Sequence, residues 1–393
     1  MDQLIETLPA VAFDGILRPV AGAPGRLEAF LPAPTVQNHA ANLLVLQNGD
    51  LACVWFGGTQ EGIPDISAYF SRLPKGPSAW TEPVKLSDDP TRSEQNPILF
   101  HAPDGLLWLI YTSQRSGNQD TAIVMSRTSR DDGLTWGPIR TLIDEPGTFV
   151  RQPPVFLANG DWLLPIFRCV AEPGRKWVGD ADISEVKISS DGGASFVTHT
   201  VPGSTGCVHM NIVELDGGRL VAFFRSRFAD HVYRSRSSDQ GRTWSPPEPT
   251  PLPNNNSSIQ AIRLQDGRLA MVYNHASAAD ATDRRISLYD DIEDEDGLAD
   301  AAIDDPALGR KTAFWGAPRA PMSLAISSDE GLTWPVRHDL ETGSGYCMTN
   351  NSREKLNREL SYPSILQTRD GRIHVAYTHF RQAIKYVVLP RMP

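Results

Sequence analysis

One short pattern, written four times, limits what this chain can fold into more than anything in its composition. Ser129-Arg130-Asp131-Asp132-Gly133-Leu134-Thr135-Trp136, Ser237-Ser238-Asp239-Gln240-Gly241-Arg242-Thr243-Trp244 and Ser327-Ser328-Asp329-Glu330-Gly331-Leu332-Thr333-Trp334 match fully. Ser189-Ser190-Asp191-Gly192-Gly193-Ala194-Ser195-Phe196 keeps the pattern with Phe in place of Trp. A short Asp folds its carboxylate back onto turn amides, Gly takes a positive φ, and the closing aromatic packs beneath. Each box therefore reads as a structural staple, and its recurrence marks a repeat protein.

A second repeat interleaves with the first: an apolar strand, an Asn-Gly or Asp-Gly turn, and another apolar strand. Its turns are Asn48-Gly49, Asp104-Gly105, Asn159-Gly160, Asp216-Gly217, Asp266-Gly267 and Asp370-Gly371. They recur about every 55 residues, roughly the length of a four-stranded blade, except for a last step twice as long. Six hairpins and almost no helical periodicity predict an all-β, six-bladed β-propeller with Asp-box hairpins, closed on itself. A two-domain β-sandwich is the alternative. The chain is expected to form one domain over residues 1–393, with blades over 35–390 and an inserted acidic loop over 276–318. That insertion carries Asp290-Asp291-Ile292-Glu293-Asp294-Glu295-Asp296, read as a solvated loop, with a calcium site or a lid as functional alternatives. Ile384 to Leu389 reads as a strand that closes the ring.

The net charge of −10 over 393 residues, with no basic tract, argues against nucleic-acid and anionic-membrane partners. No stretch approaches the roughly 20 apolar residues of a membrane span. The opening Met1-Asp2-Gln3-Leu4-Ile5-Glu6 lacks the basic start and apolar run of a signal peptide, so a cytoplasmic location is expected. Cys53, Cys169, Cys207 and Cys347 lack metal-ligand spacing and read as reduced thiols. Neither a metal nor a cofactor is expected.

In a propeller, polar residues entering each blade's first strand point at the axis. That rule selects Asn38 and His39, Asn96, Arg151, His209 and Asn211, Asn255 and Asn256, and Glu359 with Tyr362. Arg225 and Arg227 end one apolar run and Arg319 precedes another; arginines converging on one axis would make an anion site.

These residues resemble the sialidase superfamily of the bacterial BNR-repeat type, from about Val36 to Leu389. The resemblance implies three arginines on a substrate carboxylate, a Tyr nucleophile activated by a Glu, and an acid loop. Ser361-Tyr362-Pro363-Ser364-Ile365-Leu366 resembles the nucleophile segment, and Arg225 and Arg319 stand where the second and third arginines belong. Asn38-His39-Ala40 replaces the opening Arg-Ile-Pro motif, and His209 replaces the activating Glu. The acid loop corresponds to Gly57 through Asp65, with Glu61 or Asp65 as the acid. Arg18 falls too far from the first hairpin to belong to the site.

The catalytic candidates are thus Tyr362, His209, His39, Glu61 and Asp65. Substrate binding is expected from Arg225, Arg319, Arg151, Asn38, Asn96, Asn211 and Glu359. Together they imply an exo-acting enzyme that cleaves an acidic sugar from an oligosaccharide or glycoside through Tyr362. The alternatives are a uronate lyase with a His base and Tyr acid, and a non-catalytic sugar-binding propeller.

Overall fold

The computed structural model describes residues 12–171, 173–292 and 311–391. Its strands form six separate sheets arranged as the blades of a propeller. Blade one holds β3 (Gln37–Val45), β4 (Leu51–Gly58), β5 (Ser67–Leu73) and β6 (Val84–Lys85). Blade two holds β7 (Ser93–His101), β8 (Leu107–Arg115), β9 (Asn118–Ser129) and β10 (Arg140–Ile143). In blade three the inner strand is split into β11 (Thr148–Val150) and β12 (Val155–Phe156), followed by β13 (Trp162–Arg168), β14 (Ile183–Ser189) and β15 (Val197–Thr200). Blade four runs β16 (Cys207–Glu214), β17 (Leu220–Ser226), β18 (His231–Ser237) and β19 (Glu248–Pro253). Blade five runs β20 (Gln260–Arg263), β21 (Leu269–Asn274), β22 (Met322–Ser327) and β23 (Val336–Glu341).

Blade six corrects one expectation. Its strands β24 (Leu360–Gln367), β25 (Ile373–His379) and β26 (Ala383–Leu389) come from the C-terminus, and the outer strand comes from the N-terminus. There β2 (Leu27–Phe30) pairs antiparallel with Lys385–Val388, and β1 (Arg18–Pro19) pairs outside it. The ring is thus closed by residues near the start of the chain, while the segment from Ile384 to Leu389 is an ordinary third strand. Joining first and last segments in one sheet covers the outer edge of β26, which would otherwise template wrong pairing.

Each Asn-Gly or Asp-Gly turn joins the first and second strands of a blade, as expected. The four boxes lie between the third and fourth strands of blades two to five. In every box the Thr or Ser hydroxyl donates to the Asp at 2.6 Å, and the Gly N–H donates to the opening Ser. Glycine is required there twice over. At Gly331 φ is +83, and a Cβ would lie 2.4 Å from Phe223 of the preceding blade, so the bare backbone is the packing surface.

Close to the axis, neighbouring blades are tied by side chains that accept backbone N–H groups. Asn42 accepts from Leu99, Thr112 from Val150, Asn211 from Ala261, Gln260 from Ile365, and Ser364 from Leu43, which links blade six back to blade one. A buried amide without such a partner would cost roughly 1–3 kcal/mol, so these ties fix the angle between blades. Asn211, expected to bind substrate, is engaged in this structural role.

Candidate functional site

Inner strands of blades one, two, four and six each carry a β-bulge at the same level, between His39 and Asn42, Gln95 and Ile98, Val208 and Asn211, and Ser361 and Ser364. Within each bulge one non-glycine residue takes a left-handed conformation: Ala40, Asn96, His209 and Tyr362, with φ between +50 and +63. Such a residue costs on the order of 1 kcal/mol or more, and a bulge re-aims a side chain out of the alternation of the strand. Four strained positions at one level identify where the fold presents side chains to the axis. Blade five adds Asn256 at φ +55 just before its first strand.

Tyr362 is the centre of what these bulges present. Its phenol oxygen accepts a 2.6 Å hydrogen bond from Arg225, and the same Arg225 nitrogen lies 3.3 Å from His209 Nε2. A guanidinium only donates, so His209 Nε2 is the acceptor and the ring proton sits on Nδ1, which has no partner. The Tyr362 ring centroid lies 4.3 Å from that of His39 and 5.6 Å from that of His209. Arg225, Arg319 and Arg151 each hold their guanidinium carbon 5.4–5.6 Å from the ring centroid. Asn256 accepts from Arg225 Nε at 2.7 Å, leaving Arg225 Nη2 buried and unpartnered.

A second guanidinium cluster stands beside the phenol. Glu359 accepts from Arg319 at 2.7 Å, and its other oxygen lies 2.5 Å from Arg381 Nε and 3.6 Å from His39 Nδ1. Arg381 also donates to Glu61 at 2.6 Å. Four buried arginines, Arg151, Arg225, Arg319 and Arg381, thus face two buried carboxylates, Glu61 and Glu359. The excess of positive charge, taken out of water, is a cradle for an anion.

The titration directions follow from that excess. Burial, reinforced by Arg381 and Arg319, holds the His39 pKa well below the ordinary imidazole value. Burial and then Arg225 and Arg227 do the same to His209, so both rings are neutral at pH 7. Burial pushes Arg225 down to about 9 and Arg151 down to about 10. It would also raise the Glu359 pKa, but Arg381 and Arg319 outweigh it and hold the carboxyl low.

Other expected residues lie elsewhere or have other work. Arg151 reaches across the axis beneath Tyr362, where Nη2 donates to the carbonyls of Ala41, Tyr362 and Pro363 at 3.1 Å. Through Nη2 it braces the backbone that carries the phenol, while its Nη1 is buried without a partner. Asn38 bonds to the carbonyls of Thr35 and Gln382 and to the indole of Trp55, fastening β3 to the β25–β26 turn. Asp65 is exposed and caps Thr59 through its amide and hydroxyl, so of the two acid-loop candidates Glu61 alone is buried in the cluster. Asn96 is buried at its bulge. Arg18 pairs with Asp14 on the surface.

Arg381 was not among the expected residues, though a local signal existed. The Gln382 N–H closes onto the His379 carbonyl at 3.0 Å over Phe380 and Arg381, both with φ +57. A hairpin turn of that shape normally carries Asn-Gly, and Phe-Arg there trades local preference for position. Arg381 thereby supplies a guanidinium beside His39, where the sialidase pattern has its opening arginine.

The insertion also enters the site. Trp315 stacks 5.7 Å over Arg225, the Phe314 carbonyl accepts from Asn256, and Leu288, Tyr289 and Ile292 pack with Phe149, Phe167 and Trp177 at the mouth of the axis. Asp290 pairs with Arg285 at 2.5 Å, and Asp291 accepts from Asn350 and Thr349. These two acids are tied down, contrary to a purely solvated run; Glu293 to Asp296 lie outside the described residues. No cluster of three metal-ligating side chains occurs among the described residues.

A propeller with Asp boxes and an arginine-lined axis defines a class, and the comparisons agree with it. Residues 49–375 match the BNR repeat-like domain, and the chain belongs to that family. No curated protein matches the sequence. Among solved structures, a protein of unknown function from Dyadobacter fermentans is similar at TM-score 0.66 and 17% identity, covering 94% of this chain and 100% of that one. The intramolecular trans-sialidase from Ruminococcus gnavus, in complex with oseltamivir carboxylate, is similar at TM-score 0.63 and 12% identity, covering 92% and 96%. The Hadza microbial sialidase Hz136 is similar at TM-score 0.64 and 13% identity; the chain covers 66% of its length, with 90% of this chain matched. At these identities the likeness is one of fold.

Proposed function

We propose that this protein cleaves the glycosidic bond of an acidic sugar, with the sugar carboxylate on Arg225, Arg319 and Arg381 and with Tyr362 as the nucleophile. The observation that carries this reading is the 2.6 Å contact between the Tyr362 phenol and Arg225, whose Nη2 is buried without a partner. A carboxylate fits that vacant donor, and charge-assisted pairs to guanidinium are the strong ones. A neutral phenol also suits an anionic substrate, which would repel a carboxylate nucleophile. As the Tyr362 oxygen attacks the anomeric carbon, its proton passes to a flanking imidazole, His39 or His209. The Arg225 guanidinium stabilises the phenolate on the way to attack, and the glycosidic oxygen leaves with a proton from Glu61 of the acid loop. The named neighbours, sialidases and trans-sialidases, support an acidic-sugar substrate at the level of fold.

A second reading has its own observation. No carboxylate is hydrogen-bonded to the Tyr362 hydroxyl among the described residues, while two neutral imidazoles flank it. That arrangement suits β-elimination of a uronide. His39 or His209 removes the proton next to the carboxylate, the electrons form a carbon–carbon double bond, and the glycosidic oxygen departs with a proton from Tyr362.

Assay of the purified protein on sialosides and on uronic-acid disaccharides separates the readings. Reducing sugar without ultraviolet absorbance is expected for hydrolysis, and an absorbing unsaturated product would replace that reading by elimination. Turnover of neither substrate class would overturn both.

A further inference from the structure

Next to the arginine cluster is a buried polar cluster that the proposed chemistry does not use. Gln95 on β7, Gln114 on β8 and Gln119 on β9 all aim their carboxamide nitrogens at one atom, the hydroxyl of Tyr289 from the insertion, at 3.4, 3.2 and 3.0 Å. All three glutamines are buried. A phenol oxygen offers two lone pairs and one proton, so three amide groups are more than one hydroxyl can satisfy. Gln95 Nε2 also donates to Ser93 at 3.0 Å, and Gln119 Oε1 accepts from the Cys169 thiol. For the Gln114 and Gln119 nitrogens, however, the phenol is the one acceptor among the described residues. A carboxamide nitrogen carries two N–H groups, so each forfeits a bond that it made in water. Two or more adjacent hydroxyls would use them fully. None of the three is charged, so the cluster suits a neutral ligand.

The walls fit the same class. Tyr289 lies 6.2 Å from Trp177, which stands 5.9 Å from Trp315. On its other side the ring covers Gly62, where an added Cβ would come 2.6 Å from the ring. Gly62 follows Glu61, the partner of Arg381. A flat apolar wall beside converging amides is what a pyranose needs, with C–H groups on its faces and hydroxyls at its edge.

We propose that Gln95, Gln114 and Gln119 form a subsite for a neutral sugar ring, the residue joined to the acidic one, and that Tyr289 occupies it as a stand-in until substrate displaces it. The order of subsites rests on the acidic-sugar reading above; the neutral cluster itself does not. Because plug and ligand compete, the apparent affinity is reduced by the fraction of molecules in which Tyr289 is out of place.

The test is binding rather than turnover. Methyl galactoside, methyl glucoside and methyl rhamnoside are titrated separately, following the fluorescence of Trp177 and Trp315. Tyr289→Ala is expected to bind at least one of them about tenfold more tightly than wild type, and adding Gln119→Ala is expected to remove the gain. Tyr289→Phe keeps the ring but loses the amide contacts, so it is expected to show a gain of about threefold; it decides the matter if the alanine variant does not fold. Equal or absent responses in wild type and plug variant for all three glycosides, or a gain that survives Gln119→Ala, would overturn the subsite. Titration of sialic acid and glucuronate against Arg225→Ala, run in parallel, bears on the arginine cluster alone, so either reading can fail without the other.

Discussion

The rim and the axis of this propeller are both built from polar groups held in tight turns, and they are finished differently. On the rim, each Asp-box carboxylate accepts from the hydroxyl and amide of a residue four positions on, and the opening Ser supplies another bond. Along the axis, both nitrogens of His39, Nδ1 of His209 and Nη2 of Arg225 are buried without a hydrogen-bond partner. Native proteins leave few such groups, and those they leave call for an explanation. On the rim the box carboxylates are fully engaged and only the Trp136 and Trp334 indoles of the boxes are left without a partner, whereas along the axis cationic and imidazole donors are left open, which the proposed acidic substrate would engage.

The sharpest way to break that comparison is Tyr362→Phe. Activity is expected to fall on the order of a thousandfold, with stability changed by only about 1 kcal/mol, the worth of one hydrogen bond. Steady-state kinetics and urea unfolding check the two halves, and near-normal turnover would remove Tyr362 from the reacting centre. Arg381→Ala should damage both properties, because it leaves Glu61 and Glu359 facing each other with one cation fewer. A loss of about 3–5 kcal/mol is expected from an uncompensated buried charge, measured by urea unfolding; a neutral result would mean that the cluster is open to water.

Asp239→Ala addresses the rim. It should lower stability by about 1–3 kcal/mol and leave kcat unchanged, since the box lies between the outer strands of blade four; a drop in kcat with full stability would blur the distinction. Smallest is the pH effect. Both axial histidines have folded pKa values below the unfolded one, so on acidification the unfolded chain takes up protons that the folded one does not. Stability is therefore full above about pH 6.5 and falls below it by about 1.4 kcal/mol per histidine per pH unit. His374 and His275 are also held below the ordinary imidazole value, so His39→Asn should lower the slope of stability between pH 6.5 and 5 by one proton's worth, about 1.4 kcal/mol per pH unit; an unchanged slope would show that His39 is not held neutral by its surroundings.

The rim was legible in the sequence because each box closes within eight residues, and the Asn-Gly and Asp-Gly turns reveal themselves in two. Tyr362, His209, His39 and Asn256 were also legible, since blade periodicity gives the level at which a first strand meets the axis. Arg151 and Asn211 occupy that level too, yet they hold backbone, and only the neighbouring blades decide which way a polar side chain is spent.

By itself, then, the chain determined its number of blades, its hairpins and the height of its site, all through interactions between residues close in sequence. Tertiary structure decided the rest. Arg381 meets Glu61 across 320 positions, the outer strand of the last blade comes from Leu27–Phe30, and Tyr289 reaches three glutamines some 170 to 194 residues earlier. Those meetings exist only once the ring is closed, and no local pattern records them, because their free energy depends on groups brought together by the closure itself.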